Sequence, residues 1–185
     1  MSKIKLSSYG AAEEVTGSKH LLEYQTTRVL LDCGMFQGRR LPSYMKNQEF
    51  GFDPTTIDAV FLSHVHIDHC GLLPRLTKLG FKGPIFCSEA SAELLPIMLY
   101  DSARIQEGDR LYFQKHPEIL SDTPNESLYD EDDVEQCLRQ IQTFKLEENF
   151  EFQDLKIKAY SSGHVIGSVL FQFQMGHKSL IFSGD

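Results

Sequence analysis

His64-Val-His-Ile-Asp-His69 is the stretch of sequence that decides the fold, because it puts four side chains of metal-binding types into six consecutive positions. The apolar run Ala59–Leu62 comes directly before it and predicts a short buried strand that delivers the cluster to the end of a sheet. Alternate side chains of an extended or tightly turning segment project to the same side. We therefore expect His64 and His66 to reach one metal ion together.

Asp68 and His69 lie beyond the turn and are predicted to face a neighbouring position. There they would hold a second ion about 3.5–4 Å from the first, which is the usual spacing of two-metal sites. A solvated His-rich loop is the alternative interpretation, but imidazole and carboxylate at this density match the ligand set of zinc, manganese or iron. Beyond the cluster, the pattern predicts a helix that follows Gly71 and ends at Gly80.

Three further segments carry a specific resemblance. They are Gly10–Glu23 (Gly-Ala-Ala-Glu-Glu-Val-Thr-Gly-Ser-Lys-His-Leu-Leu-Glu), Leu31–Gly38 (Leu-Asp-Cys-Gly-Met-Phe-Gln-Gly) and Ser162–Ser168 (Ser-Gly-His-Val-Ile-Gly-Ser). Together with the His-x-His-x-Asp-His motif they resemble the β-CASP branch of the metallo-β-lactamase superfamily. That branch contains RNA-processing nucleases, among them ribonuclease J, the endonuclease of polyadenylation, and bacterial or archaeal exonucleases. The resemblance implies an α/β fold, the N-terminal half of an αββα sandwich.

The resemblance also implies a ligand set. In this superfamily the third motif gives a His to the first metal, here His164, and the fourth gives an Asp that bridges both metals, here Asp185. Taken without the resemblance, a His between glycines is often only a loop residue and a terminal Asp is often nothing. The implied ligands of the first metal are His64, His66 and His164, and those of the second are Asp68, His69 and the shared Asp185.

The reaction implied by such a pair is hydrolysis of phosphodiester bonds by a hydroxide that two zinc ions activate, with manganese or iron as alternatives to zinc. Asp68 would act as a ligand and orient this nucleophile. An Asp rather than a Cys at position 185 suits the hard oxygen of a phosphate. Asp32, at the end of a predicted strand, is a candidate partner for the N–H of a ligand imidazole. A turn-forming Asp beside a glycine explains Asp32 about equally well.

His20 is a second candidate partner of the ligands, and a core histidine is the alternative for it. Lys19, next to it, stands where relatives commonly carry a small residue. Elsewhere, the acidic run Asp130–Asp133 is interpreted as a solvated helix start, because carboxylates favour the positive end of a helix dipole.

The order of predicted elements supports a layered α/β domain. Apolar runs and alternation predict strands over Lys3–Ser8, Lys19–Tyr24, Arg28–Asp32, Ala59–Leu62, Pro84–Cys87, Glu151–Tyr160, Ser168–Gln174 and Ser179–Phe182. Helices are predicted over Glu89–Gln114, capped by Ser88 and interrupted at Pro96 and Gly108, and from the acidic run through Ile141. Residues 116–128 are predicted to form a loop on the outside of the molecule.

Composition restricts the function classes. The net charge of −8 argues against a free-standing nucleic-acid binder, although two bound dications would reverse the local potential of a nuclease site. No apolar stretch reaches the roughly 18 residues that span a bilayer, and the N-terminus does not resemble a signal peptide. These features predict a soluble protein of the cytoplasm, or of the nucleus in a eukaryote. The four cysteines form no C-x-x-C pair and are predicted to be reduced, mostly buried thiols.

Relatives of the β-CASP branch continue past the fourth motif into a cap domain and then complete the sandwich. Residues 1–185 are therefore expected to be the N-terminal part of a metallo-β-lactamase domain, without the β-CASP cap and the C-terminal return. The expected partners are single-stranded RNA in the complete protein and the missing C-terminal half or a partner chain, with no membrane. The isolated piece is expected to be a weak or inactive hydrolase.

Two other functions remain open at this stage. A glyoxalase-like thioesterase of the same superfamily would use the same ligands, but it leaves the segments 14–18 and 32–38 unexplained. A fragment that binds a metal or a partner polypeptide without turnover is the second alternative. Assays with RNA and with a thioester would separate the two enzymes, and any metal-dependent turnover would exclude the fragment that lacks catalysis.

Overall fold

A computed structural model describes residues 3–116 and 126–185 of the chain. The first sheet contains six strands: β1 (Ile4–Ser8), β2 (His20–Tyr24), β3 (Thr27–Leu31), β4 (Ala59–Phe61), β5 (Ile85–Ser88) and β6 (Ile141–Phe144). The second contains four: β7 (Asn149–Phe152), β8 (Leu155–Ser161), β9 (Val169–Met175) and β10 (Lys178–Phe182). The α-helices are α1 (Arg40–Gln48), α2 (Ile67–Cys70), α3 (Leu73–Lys78), α4 (Glu89–Lys115) and α5 (Glu131–Leu138).

The first sheet changes from antiparallel to parallel pairing along its width. Its order is β1-β2-β3-β4-β5-β6; the pairs up to β3 are antiparallel, and those from β3 to β6 are parallel. The carboxyl ends of the parallel strands lie on the same side of the sheet, and the segment that follows β4 begins there. The second sheet has the order β10-β9-β8-β7 and is antiparallel throughout.

Alternate residues of the first sheet enter two different hydrophobic cores. Leu30 and Val60 pack on the side that the helices cover, whereas Leu31 and Phe61 face the second sheet. All four side chains are 0% exposed. A sheet buried on both faces requires apolar residues at every position, which explains the unbroken apolar run before the His cluster. The layers are therefore helix, sheet and sheet, in agreement with the predicted α/β class.

An aromatic cluster fixes the strand that carries the His motif. The ring centroid of Phe61 lies 5.0 Å from that of Phe86, 5.5 Å from that of Phe171 and 5.1 Å from that of Phe173. Such pairs each contribute about 0.5–1.5 kcal/mol beyond the burial of their area. Because Phe61 is the last residue of β4, this packing holds the start of the next segment in place.

The prediction that α4 is interrupted was wrong. The helix runs without a break from Glu89 to Lys115, with Pro96 inside it. A proline removes one hydrogen bond of the helix, but Leu95 and Leu99 on either side are fully buried, and this packing offsets the loss. At Gly108 the helix also continues.

Several elements differ from the prediction. Helix α5 ends at Leu138 rather than at Ile141, because Ile141–Phe144 pairs in parallel with β5 as the edge strand β6. The single strand predicted over Glu151–Tyr160 is a hairpin, β7 and β8, that turns at residues 153–154. The helix predicted after Gly71 is α3, Leu73–Lys78, whereas the short helix α2 comes before Gly71 and was not predicted, and α1 was not predicted either.

The predicted outer loop falls partly outside the described residues, which omit 117–125. Its described end does not lie on the outside, since Leu128 is 4% exposed and packs in the helix-side core. The four cysteines are free and buried, as predicted.

Candidate metal centre

The His motif leaves the sheet at the carboxyl end of β4 and becomes helical within four residues. His66 has an extended backbone and is the N-cap of α2. Its carbonyl oxygen accepts hydrogen bonds from the N–H groups of His69 and Cys70, both at 2.9 Å. The change from extended to helical backbone turns His69 away from the direction of His64 and His66, so the motif can serve two neighbouring positions.

Three imidazole nitrogens converge at the first position. Nδ1 of His66 lies 3.1 Å from Nε2 of His64 and 3.3 Å from Nε2 of His164. An oxygen of Asp185 joins them, and the four ligand atoms all lie within 4.8 Å of one another. The structure thus brings together residues that are up to 121 positions apart in the chain.

The spacing of these nitrogens fits a tetrahedral zinc ion. With zinc-to-nitrogen bonds of 2.0–2.1 Å, two ligand nitrogens of a tetrahedral site lie about 3.3 Å apart. The separations of 3.1 and 3.3 Å between these nitrogens are close to this value. Three histidines and one carboxylate oxygen are also a donor set that zinc, manganese and iron accept.

Asp185 connects the first position with a second one. Its Oδ2 lies 3.8 Å from Nε2 of His164, and its Oδ1 lies 3.4 Å from Nε2 of His69. The same His69 nitrogen is 4.0 Å from Oδ2 of Asp68. Each oxygen of one carboxylate therefore faces a different group of ligand atoms, which is the arrangement of a bridging ligand.

The centre has a buried floor, formed by His64 and His69, and an exposed rim, formed by His164 and Asp185. His64 is 1% exposed and His69 is 5% exposed. At the rim, the side chains of His164 and Asp185 are 33% and 51% exposed.

Asp32 organises the floor from below. Its Oδ1 accepts a hydrogen bond from the backbone N–H of Ser63 at 2.7 Å, and its Oδ2 accepts one from the Ser63 hydroxyl at 2.8 Å. Oδ2 also lies 2.6 Å from Nδ1 of His69. Asp32 is fully buried and has a left-handed backbone with φ of 58°, which Asp tolerates better than most residues. Asp32 thus contacts His69, a candidate ligand, as one of the two interpretations predicted.

Ser63 extends this network to His64. The Ser63 hydroxyl donates its proton to Asp32, so its oxygen accepts from Nδ1 of His64 at 3.0 Å. Each of His64 and His69 then keeps its proton on Nδ1 and directs the lone pair of Nε2 towards the centre. Ser63 was missed in the sequence analysis; its place between a buried strand and the first His of the motif is the signal that could have found it.

The environment also sets the charges of the two floor histidines. Burial, together with the nearby imidazole of His69, lowers the pKa of His64 to about 4, so this ring is neutral at physiological pH. Burial alone would lower the pKa of His69 too, but the hydrogen bond with Asp32 and the surrounding carboxylates outweigh it and raise that pKa. A neutral imidazole is the form that binds a metal ion.

His20 lies beside the centre rather than in it. Its Nδ1 is 2.9 Å from the hydroxyl of Ser8, and its ring centroid is 5.7 Å from that of Phe182. Burial lowers its pKa. No contact between His20 and a candidate ligand is observed among the described residues, so its predicted role as a ligand partner stays a prediction.

Lys19 is buried, and its amine hydrogen-bonds to backbone carbonyls. Its Nζ donates hydrogen bonds to the carbonyl oxygens of Gly17 at 3.1 Å and Gly34 at 2.8 Å, and it lies 4.0 Å from the ring centroid of Phe36. Burial lowers its pKa to about 8. Lys19 thereby ties together two backbone segments that border Asp32 and Asp68. Its interaction with backbone groups gave no signal in the sequence.

The sheets, the helical layer on one of them and the His and Asp side chains at the strand ends define a class of α/β sandwich proteins with a metal centre. The family model described as Metallo-beta-lactamase superfamily matches residues 17–185. The chain belongs to the metallo-beta-lactamase superfamily.

Similar proteins indicate which branch of this superfamily the chain resembles. The chain is 35% identical to Ribonuclease TTHA0252 of Thermus thermophilus, over 98% of this chain and 38% of that protein. It is 30% identical to Integrator complex subunit 11 of Gallus gallus, over 100% of this chain and 30% of that protein. The chain thus spans about a third of the length of these two relatives. They confirm the predicted resemblance to RNA-processing nucleases of the β-CASP branch.

Solved structures support the fold. The chain matches the metallo-beta-lactamase fold protein YhfI from Bacillus subtilis with a TM-score of 0.59 and 18% identity, over 98% of this chain and 63% of that one. It matches the MIM-2 metallo-beta-lactamase with a TM-score of 0.52 and 18% identity, over 91% and 55% of the two chains. The predicted metallo-β-lactamase sandwich is confirmed at the level of fold. None of the described helices combines the length and apolarity needed to cross a bilayer.

Proposed function

We propose that this chain is the metal-bearing segment of an RNA-processing nuclease that hydrolyses phosphodiester bonds. The observation that carries the proposal is the position of Asp185, whose two oxygens face His164 and His69 at 3.8 and 3.4 Å. A carboxylate between two groups of candidate ligands would suit a pair of ions that act on one phosphate. The similarity to Ribonuclease TTHA0252 supports RNA as the substrate class.

Six side chains would hold two ions, which we propose to be zinc, with manganese or iron as replacements. When bound, such a pair activates a water molecule and stabilises the negative charge that develops on phosphate oxygens. The first ion would be held by the three imidazoles that converge at the first position and by Asp185. The second would be held by Asp68, His69 and the other oxygen of Asp185.

The remaining side chains orient these ligands. Asp32 and Ser63 fix the Nδ1 protons of the two floor histidines, so both rings present a free Nε2 without rearrangement. Asp68 lies at the edge of the second position with its carboxylate partly exposed, where it would bind an ion and align the attacking water. No binding step therefore needs the floor of the site to rearrange.

The substrate would be single-stranded RNA, and the net charge of this chain is unfavourable for binding it. This charge is −8, whereas RNA affinity normally requires lysines and arginines that neutralise phosphates. We propose that residues 1–185 form the N-terminal part of a longer metallo-β-lactamase domain, and that a cap and a returning C-terminal half, or a partner chain, supply the RNA surface. The lengths of the relatives support this division. The site of action would be the cytoplasm, or the nucleus in a eukaryote.

The test is metal-dependent cleavage by the protein at its full natural length. A labelled single-stranded RNA and a thioester are offered separately with zinc supplied, and His66→Ala is compared with His177→Ala. His177 is an exposed residue outside the site, so its variant controls for the loss of any histidine. We expect cleavage of RNA alone, abolished only by His66→Ala. Hydrolysis of the thioester without cleavage of RNA would favour the thioesterase, and no turnover of either would exclude the proposal.

A further inference from the structure

The loop that joins β8 to β9 carries His164, and we call residues 162–168 the His164 loop. Within it, the hydroxyl oxygen of Ser168 accepts hydrogen bonds from the backbone N–H groups of His164 and Val165, both at 3.1 Å. Ser168 is 3% exposed. Because these bonds join the backbone at His164 to Ser168, the position of the second half of the loop determines where the imidazole stands.

The second half of the loop is held from outside, by the first turn of α4. The carbonyl oxygen of Gly167 accepts hydrogen bonds from the hydroxyl of Ser88 at 2.7 Å and from that of Ser91 at 3.1 Å. Ser88 and Ser91 are 5% and 0% exposed, so water has little access to either hydroxyl. Two buried donors on one carbonyl use both of its lone pairs.

Helix capping alone does not account for this pair. Ser88 caps α4 through its oxygen, which accepts from the backbone N–H of Ser91 at 3.1 Å. Its own proton plays no part in that cap and is free for Gly167. The hydroxyl of Ser91 is not needed for the helix either, and apart from Ser88 its bonding partner is the same carbonyl. The Ser88 hydroxyl lies 3.1 Å from the Ser91 hydroxyl oxygen but 2.7 Å from the Gly167 carbonyl oxygen, so its single proton goes to the nearer carbonyl and the Ser91 proton is left for the same acceptor.

Gly167 shows how closely the loop approaches the helix. Its φ is +81°, and a Cβ atom at this position would lie 2.8 Å from the backbone nitrogen of Ser91 and 2.9 Å from its hydroxyl oxygen. A side chain would push the loop away from the helix. The contact is thus direct, between backbone and two hydroxyls, without side-chain packing between them.

We propose that Ser88 and Ser91 are positioning residues for His164, and that they set the affinity of the first metal position from the N-terminus of α4. The inference rests on the proposed function, because it needs His164 to be a metal ligand. The connection runs from the two hydroxyls to the carbonyl of Gly167, through Ser168 to the backbone of His164. Partners that orient metal ligands typically change the metal affinity by about 10–100-fold when they are removed.

The experiment measures metal affinity in the protein at its full natural length. Zinc is titrated against a competing chelator for the wild type, for Ser91→Ala, and for the double variant Ser88→Ala, Ser91→Ala. Cobalt absorption reports the coordination number of the first position, and hydrogen exchange of the metal-free protein reports the protection of the His164 and Val165 amides. Ser88→Thr keeps the hydroxyl and the cap, and it serves as the conservative variant.

Ser102→Ala is the matched control. Ser102 lies on the same helix and is 9% exposed. Its hydroxyl hydrogen-bonds to that of Tyr129 at 2.7 Å rather than to the His164 loop. We expect the double variant to lose about 10-fold or more in zinc affinity, together with the four-coordinate cobalt spectrum and the protection of the loop amides. Ser88→Thr should stay near the wild type, and Ser102→Ala should keep all three readouts.

Several results would overturn the proposal. Wild-type affinity and spectrum in the double variant would do so, and so would an equal loss in Ser102→Ala, which would indicate general destabilisation. If the double variant does not fold, the zinc affinity and cobalt spectrum of Ser91→Ala are compared with those of the wild type and Ser102→Ala instead. A wild-type protein that binds no zinc would refute the proposed function itself. If the wild type and the variants bind zinc equally well, only the positioning role of the two serines is refuted.

Discussion

Nδ1 of His69 donates a hydrogen bond of 2.6 Å to Oδ2 of Asp32, and both side chains are almost completely buried. The carboxylate that receives this bond also holds the hydroxyl of Ser63, which in turn contacts His64. One residue outside both metal positions thus orients an imidazole in each of them.

Replacing Asp32 should therefore weaken both positions at once. For Asp32→Ala we expect the affinity for each zinc ion to fall by about 10–100-fold, because both floor histidines lose the group that fixes their proton. Zinc titration followed by elemental analysis measures the effect, with Asp101→Asn as an exposed acidic control. Loss of one ion with the other unchanged would contradict a shared orienting role.

The bridging position of Asp185 predicts two unequal classes of site. The first ion has three imidazoles besides this carboxylate, whereas the second has only Asp68 and His69 besides it. Titration of the wild type with zinc should resolve a tight and a weaker ion. Asp185→Asn, which keeps the size of the side chain and removes its charge, should abolish the weaker one and reduce RNA cleavage by at least about 100-fold. Two equally tight ions in the wild type would show that the assignment is wrong.

Lys19 predicts a dependence of stability on pH with a defined sign. Burial lowers its pKa from 10.5 to about 8 in the folded chain. Between pH 8 and 10.5 the unfolded chain binds more protons than the folded one, so raising the pH through this window stabilises the fold relative to a variant without the amine. The free energy of unfolding of the wild type, minus that of Lys19→Met, should increase by about 1–3 kcal/mol from pH 8 to pH 10. Denaturant titrations at three pH values measure it, and a constant or shrinking difference would refute it.

Pro96 predicts a stabilising substitution. It stands inside α4, where it removes a backbone N–H from the hydrogen bonds of the helix. Pro96→Ala should raise the free energy of unfolding by about 1–3 kcal/mol, since alanine supplies the missing donor and has the highest helix propensity. Thermal and chemical denaturation measure the change in the free energy of unfolding. A destabilised variant would mean that α4 depends on the proline ring for packing.

The parts of the site that the sequence could predict are those encoded in short motifs. His64, His66, Asp68 and His69 are neighbours in the chain, and a strand before them is enough to predict one centre. His164 and Asp185 needed a family resemblance, because nothing in their local sequence shows that they meet His66 and His69. Asp32 was undecided between a turn and a ligand partner, and the structure places it in contact with His69, with a left-handed backbone.

Contacts made by backbone atoms could not be predicted. Gly167 is 79 and 76 residues away from Ser88 and Ser91 in the sequence. It contacts them through its backbone carbonyl, a group that every residue has. The same holds for Lys19, whose partners are the carbonyls of Gly17 and Gly34. Errors in the elements have a related cause. The strand Ile141–Phe144 depends on a partner strand, and the continuity of α4 depends on packing, and neither leaves a local pattern.

The contrast between a buried floor and an open rim has a consequence for how ions enter and leave. His64 and His69 are almost inaccessible in the part of the chain that the structure describes, so an ion would approach from the side of His164 and Asp185. Exchange would therefore be directional: the exposed pair would be the first to meet an incoming ion and the last to release a departing one. A chelator in solution competes with those two side chains long before it reaches the buried ones, so the lifetime of the loaded state depends on how firmly the rim is held.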